Sequence, residues 1–279
     1  MPSGMHDVRP DGQRFSPVEA IEACAQAGFT HIDITLSSCC DPAHPFAGEQ
    51  YQTWLDGVTE ALARTGLAVN QTHTVFYKHI DAPERLAFYE RMVDRCLQAS
   101  ARLQAPWTVM HILRPIDLAL DREEKDEALA RNAAYFLPYG EKARRYGVGI
   151  AIENGLTGFF HSADELLALL DRLNDPVFGL CWDTGHANIT GQDQAAAILR
   201  MNENLKCLHI NDNDGARDQH LLPAFGTVDF APIMDALHRL ADPPMLTLEC
   251  GGSTRRLPAC ARADALRLAA RLTHWLETL

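Results

Sequence analysis

Seven short apolar runs alternate with longer amphipathic stretches along this chain. The runs are FTHIDITL (29–36), LAVNQTHTV (67–75), PWTVMHIL (106–113), GVGIAIEN (147–154), VFGLCWD (177–183), LKCLHIND (205–212) and MLTLEC (245–250). Their length and their content of β-branched and aromatic residues predict strands. Between them, SPVE at 16–19 and SADE at 162–165 carry the Ser-x-x-Glu pattern that opens a helix with two reciprocal hydrogen bonds. Asp81 followed by Glu84 opens another, running to about Arg102, and helical periodicity also covers about 121–145, 192–203, 229–240 and 259–278. Strands alternating with helices predict a parallel sheet. Seven or eight such units predict an α/β fold closed into a (β/α)8 barrel, a single domain over residues 1–279. Residues 1–13 lack a β-branched run, so the first strand is expected to be short, around Gly4 to Val8, or irregular.

Successive strand residues point to opposite faces. Ile150 and Ile152 alternate with Gly149, Ala151 and Glu153; Leu180 and Trp182 with Cys181 and Asp183; Leu208 and Ile210 with Cys207 and His209; Leu246 and Leu248 with Thr247 and Glu249. Each strand thus has a bulky face, suited to pack under helices, and a face of small residues ending in a carboxylate or imidazole. Ile32, Ile34 and Leu36 alternate in the same way with His31, Asp33 and Thr35. The small faces should line the interior, with the polar ends at the C-terminal mouth, where barrels of this kind carry their chemistry.

Glu153, Asp183 and Glu249 would then converge. Buried carboxylates that close repel one another unless a cation joins them. Three carboxylates with one imidazole suit Mn²⁺, Mg²⁺ or Co²⁺, with Zn²⁺ as the alternative. The plainer reading is a structural network with Arg or Lys.

Composition narrows the partners. Nearly half of the residues are apolar, enough for a large core, yet no stretch approaches the roughly 20 residues of a membrane span. The N-terminal residues have no apolar run of the secretory kind, so a cytoplasmic location is expected. A formal charge of −12 disfavours nucleic acid as a partner. The eight cysteines form no CxxC pair and are expected to be buried free thiols. No GxGxxG, P-loop or Gly-x-Ser-x-Gly pattern calls for a nucleotide or a hydrolase triad.

The stretches IENG (152–155), CWDTGHAN (181–188), HINDND (209–214), RDQHLLPAFGTVDF (217–230) and LTLEC (246–250) resemble the xylose isomerase-like TIM barrels, the sugar isomerases and epimerases whose superfamily includes endonuclease IV-type enzymes. The resemblance is strongest over 147–250. It implies a sugar, sugar phosphate or polyol isomerase or epimerase holding one divalent ion through Glu153, Asp183, His209 and Glu249. The two glutamates would exchange a proton through a metal-stabilised enediolate, while His186 and Arg217 contact substrate oxygens. His73 and His111 would be substrate-contacting or hydrogen-bonded histidines. The same resemblance leaves a multi-zinc phosphodiesterase open, with His73, His111, His186, Asp218 and His220 as additional ligands. An inosose dehydratase-type lyase and a catalytically silent ligand-binding barrel also stay open, as does a homo-oligomer.

Other residues compete for roles. Trp107 and Trp182 could stack on a sugar, although parity turns Trp182 toward the helices. Phe159 and Phe160 could cap a pocket, and His44 and Phe46 sit in a polar loop, 37–51, that could set specificity.

Overall fold

The computed structural model describes residues 16–76, 82–113, 125–156, 158–254 and 257–279. The expected first strand around Gly4 to Val8 and the helix opener Asp81 lie outside these. Six strands form one sheet in chain order: β1 (His31–Thr35), β2 (Ala68–His73), β3 (Trp107–His111), β4 (Gly149–Glu153), β5 (Phe178–Asp183) and β6 (Leu205–His209). All neighbours are parallel. The seventh run, 245–250, is reduced to a single parallel bridge between Ile210 and Leu248. The Ile210 amide donates to Thr247 O (2.7 Å) and the Glu249 amide to Ile210 O (2.9 Å), so the run still lies alongside β6.

Helix α1 (Pro17–Ala27) precedes β1, and α2 (Tyr51–Thr65), α3 (Pro83–Arg102), α4 (Lys125–Tyr146) and α5 (Ala163–Leu173) lie in turn between successive strands from β1 to β5. After β5 come α6 (Thr184–Ile189) and α7 (Gln194–Met201), and after β6 come α8 (Phe230–His238), α9 (Gly251–Thr254) and α10 (Ala259–Leu276). Both expected capping boxes form, at Ser16 with Glu19 and at Ser162 with Glu165. Helix α3 opens instead on Ala82, which makes no side-chain cap bond, with Pro83 supplying the first-turn geometry. Helix α2 begins at Tyr51, the last residue of the polar loop. It buries Tyr51, Leu55, Val58, Ala61 and Leu62, a helical face that sequence reading left unassigned.

The alternation along the strands decides the layers. Met110, Ile150, Ile152, Leu180, Trp182, Leu208 and Leu248 join one cluster with residues of the surrounding helices. Ile32, Ile34, Leu36 and Val69 join another with α1, α2 and α3. Inside, Val109, Ala151, Cys181 and Cys207 pack together with Trp107 against them. Trp107 opens β3 and so lies at the N-terminal end of the barrel, opposite the strand ends. A Cβ on Gly149 would lie 2.2 Å from the Trp107 ring, so the absence of a side chain there is what admits the indole. Trp182 is fully buried on the helix side, its Nε1 donating to Gln194 Oε1 (3.3 Å). Neither tryptophan faces the mouth.

One irregularity affects the interior. Between Ile32 and Asp33 the β1–β2 register jumps by a residue on β2, so Asn70 is bulged. Asn70 and Gln71 both turn to the polar interior: Asn70 Nδ2 donates to Thr247 Oγ1 (2.6 Å) and Gln71 Nε2 to Leu208 O (3.4 Å). Beyond the bulge, Thr72 faces α3, bonded to Ser100 Oγ (2.6 Å), and His73 faces inward. Among the described residues no helix is long and apolar enough to cross a membrane. The eight cysteines are thiols outside any disulfide, and only Cys260 is exposed.

Candidate active site

Five consecutive strands end on a titratable residue: His73, His111, Glu153, Asp183 and His209. The parallel register sets His111 beside Glu153 and Asp183 beside His209, and steps by two residues between His73 and His111 and between Glu153 and Asp183, so all five ends stay at the same mouth. Glu249 follows Leu248, the residue bridged to Ile210, and arrives at the same mouth.

His209 is central. Its Nδ1 lies 2.7 Å from Glu153 Oε1, 3.3 Å from Glu249 Oε2 and 4.0 Å from Asp183 Oδ2. Glu153, Asp183, His209 and Glu249 each offer one ligand atom within 4.8 Å of the other three, close enough to hold an ion. His73, Glu153 and His209 form a second such group that shares two of these residues. His111 Nε2 stands 2.5 Å from Glu153 Oε2 and 3.1 Å from His73 Nε2. His73 Nδ1 faces Thr74 O (2.9 Å), which requires a proton on that nitrogen and leaves Nε2 free to accept or ligate.

Asp183 is held from several directions. It caps α6, accepting the His186 amide on Oδ1 (2.7 Å), and Asn211 Nδ2 donates to its Oδ2 (2.9 Å). Asn154 clamps its backbone, accepting the Asp183 amide on Oδ1 (2.6 Å) and donating Nδ2 to its carbonyl (3.1 Å). Gly185 makes the Asn211 contact feasible, because a Cβ there would sit 1.9 Å from Asn211 Oδ1. At the rim, Asp218 lies between His220 Nε2 (3.1 Å) and His186 Nε2 (3.8 Å). The Nδ1 atoms of these two imidazoles face Glu249 O (3.0 Å) and Asn154 O (2.9 Å).

The electrostatics follow from this crowding. Burial alone would raise the Glu153 carboxyl, but the His111 and His209 imidazoles hold it well below the usual range. Burial pushes Glu249 up to about 7 despite His209 and His220, with Glu153 and Asp183 adding like-charge repulsion. Burial would lower His186 and His220, yet the carboxylates around them (Asp183, Asp218 and Glu153 for the first; Asp218, Glu249 and Asp183 for the second) push both up to about 10. Burial prevails at His111, which is lowered even with Glu153 beside it.

Of the site residues expected from sequence, only Arg217 stands apart. Its guanidinium pairs with Asp214 Oδ2 (Nε 2.9 Å), and its side chain is 74% exposed. Phe46 is buried against Tyr51 and Trp54, and His44 accepts the Phe46 amide, so that loop turns its aromatic residue into the core. Phe160 is likewise buried in the main core. Three nearby residues had no expected role: Asn154, Asn211 and Phe76. The asparagines sit one and two positions beyond the strand-end residues Glu153 and His209, which was their only signal. The Phe76 ring lies 4.9 Å from His73 and 4.6 Å from His111 and is 40% exposed, an apolar wall at the mouth.

The protein is thus a parallel α/β barrel with carboxylates and imidazoles gathered at its strand ends, close enough together to hold a cation. The chain belongs to the xylose isomerase-like TIM barrel family, whose model matches residues 21–278. An uncharacterized protein of Sinorhizobium fredii, y4fM, is 27% identical over 246 residues, covering 78% of this chain and 76% of that one. A ketose 3-epimerase of Arthrobacter globiformis is 27% identical over 137 residues, 48% of this chain and 46% of its own length. A D-psicose 3-epimerase structure determined in the presence of D-fructose superposes with a TM-score of 0.73 at 17% identity, covering 93% of each chain.

Proposed function

We propose that this protein is a divalent-metal-dependent sugar isomerase or epimerase, with Glu153, Asp183, His209 and Glu249 as ligands. The observation that carries the reading is the convergence of those four ligand atoms within 4.8 Å. Two features favour a cation over a structural network. Every ion-pair partner of Glu153, Asp183 and Glu249 among the described residues is an imidazole; no Arg or Lys reaches them. Glu153 Oε2 is also buried, and its near neighbours are the imidazole nitrogens His111 Nε2 (2.5 Å) and His73 Nε2 (3.6 Å). The mixed oxygen and nitrogen donors suit Mn²⁺, Mg²⁺ or Co²⁺, with Zn²⁺ as the alternative.

When bound, the cation would supply positive charge beside a carbonyl and its neighbouring hydroxyl, which acidifies the C–H between them. The residues do the rest. Glu153 and Glu249 approach His209 from different strands, so one carboxylate can take a proton from the substrate carbon and the other return one. His186, fixed through Nδ1 by Asn154 O, is oriented to hold a substrate oxygen. Likeness to the ketose 3-epimerase supports a carbohydrate substrate.

The test is Glu249→Gln in the metal-loaded protein, assayed on ketohexoses. Turnover should fall by about 100-fold or more while the fold is kept. Full activity in that variant would overturn the two-glutamate reading. Elemental analysis separates the second reading, a phosphodiesterase: about two or three zinc ions per chain would favour it. His73 and His111 beside Glu153 Oε2 are the observation that keeps it in view.

A further inference from the structure

The N-terminal end of the barrel holds a second cavity that none of the chemistry above uses. Its volume is about 360 Å³, within the range of small-ligand pockets. Asn70, Trp107 and Lys206 line it together with His31, Pro106 and Met245, and among the described residues no carboxylate does. Val109, Ala151, Cys181 and Cys207 pack as an apolar layer beyond Trp107, between this cavity and the strand-end cluster.

Two register jumps build the cavity. The first is the bulge at Asn70. The second lies between β5 and β6, where Leu180 pairs with Leu205 but Cys181 with Cys207, so Lys206 is the extra residue. A regular strand alternates its faces, whereas each bulge here adds one inward side chain. Asn70 precedes the inward Gln71, and Lys206 precedes the inward Cys207. Two glycines then make room. Gly149 admits the indole, and a Cβ on Gly179 would lie 2.4 Å from Lys206 Cγ and 3.2 Å from Trp107 Cζ3. The lysine stem therefore crosses β5 at Gly179, and its ammonium stands 5.8 Å from the centroid of the Trp107 ring.

A bulge disrupts ladder hydrogen bonds, and a lysine turned into a barrel gives up part of the hydration of its charge. Two such departures that deliver polar side chains to one cavity are poorly explained by closure of the barrel, which apolar residues would serve better. The groups gathered there are an ammonium, a carboxamide and an imidazole, beside an indole and a thioether. Asn70 Nδ2 directs one hydrogen to Thr247 Oγ1 (2.6 Å) and has a second to offer. We infer that this cavity is a binding site for a small organic carboxylate with a flat or apolar remainder, its charge on Lys206 and its remainder against Trp107. One ammonium matches the single charge of a carboxylate rather than a phosphate dianion. The inference does not depend on the sugar reading of the opposite mouth.

Benzoate and its uncharged counterpart benzamide are the probes, titrated against the whole chain and followed by tryptophan fluorescence and ligand-observed NMR. Native protein should bind benzoate saturably and about 10-fold or more tightly than benzamide, the effect of one hydrogen bond to a charged donor. Lys206→Gln keeps a stem over Gly179 and removes the charge, so it should bring benzoate down to the benzamide level, whereas Lys206→Arg should keep the preference. Benzoate affinity should be the same with and without a metal chelator, which separates this cavity from the strand-end cluster. The inference is overturned by any of four results: no saturable binding of benzoate, equal affinity for benzamide, a preference that survives Lys206→Gln, or binding that the chelator abolishes. Tighter binding of inorganic phosphate than of benzoate would overturn the class of ligand. Should Lys206→Gln fail to fold, acetylation of native protein decides the same point by mass spectrometry: benzoate should protect Lys206, and an unprotected Lys206 counts against the site.

Discussion

Replacing Gly185 by Ala should damage the site without touching a titratable residue. The added Cβ would sit 1.9 Å from Asn211 Oδ1, 2.9 Å from Asn211 Cγ and 2.9 Å from Asn213 Nδ2. Non-bonded carbon and oxygen atoms need more than about 3 Å, so a gap of over an ångström must open. Asn211 cannot yield cheaply. It is fully buried, its amide donates to Thr184 Oγ1 (3.0 Å), and its Nδ2 holds Asp183 Oδ2 (2.9 Å). Overpacking of this kind costs about 1–3 kcal/mol, and losing a hydrogen bond to a charged group adds about 1.5–3 kcal/mol. The expected sum is about 2.5–6 kcal/mol, visible as a clear fall in melting temperature. If Asp183 is a ligand, freeing its Oδ2 should also weaken metal affinity by about 10- to 100-fold, measured by competition with a fluorescent chelator. A second variant, Gly185→Ala with Asn211→Ala, removes both Asn211 contacts, leaves only the 2.9 Å approach to Asn213 Nδ2, and still lacks the hydrogen bond to Asp183. Stability should recover in part, while metal affinity should not. Native stability and affinity in Gly185→Ala would refute this account of the contact.

Metal affinity should depend on pH. Glu249 is pushed up to about 7 and His209 is raised, so metal-free protein carries protons at both. An ion must displace them, and apparent affinity should fall as pH drops, more steeply below about 7 than above it; chelator competition between pH 5.5 and 8.5 would show a flat profile if this is wrong. Thiol labelling should find one reactive cysteine per native chain, Cys260, and eight after denaturation, because the other seven are buried and burial pushes Cys24 up to about 11 and Cys181 up to about 12. Mass spectrometry of iodoacetamide-treated protein reads this directly, and labelling of several sites in native protein would contradict it. Ser162→Ala removes the cap of α5 and should cost about 1 kcal/mol in denaturant unfolding, with no change in metal affinity.

The strands were legible because their faces differ in bulk. Ile, Leu and Trp on one parity against Gly, Ala and Cys on the other state which side meets helices, and the last inward residue then has to lie at the mouth. This is why Glu153, Asp183 and His209 could be grouped from sequence alone. Glu249 was reached by the same parity, although its run pairs through only one bridge. Helix α2 was missed because Gln50 offers no capping bond and Gly57 with several β-branched residues dilutes a face that is nevertheless spaced as a helix. The β2 bulge was beyond reach: a period of two runs through Asn70 and Gln71 without a mark, and only the partner strand reveals the skipped residue. The Arg217 pairing with Asp214 was not foreseen from the sequence. Arg217 lies three residues after Asp214, close enough to be captured by that carboxylate at the surface, and position along the chain does not report that competition.

Trp107 gives the barrel a direction of traffic. With its indole set into the space left by Gly149, and Val109, Ala151, Cys181 and Cys207 stacked beyond it, the axis is closed at one end. A small molecule held among the strand ends would find no path along the axis through these side chains. Among the described residues, the way in and the way out of the strand-end cluster therefore lie on one side, the side that carries Phe76.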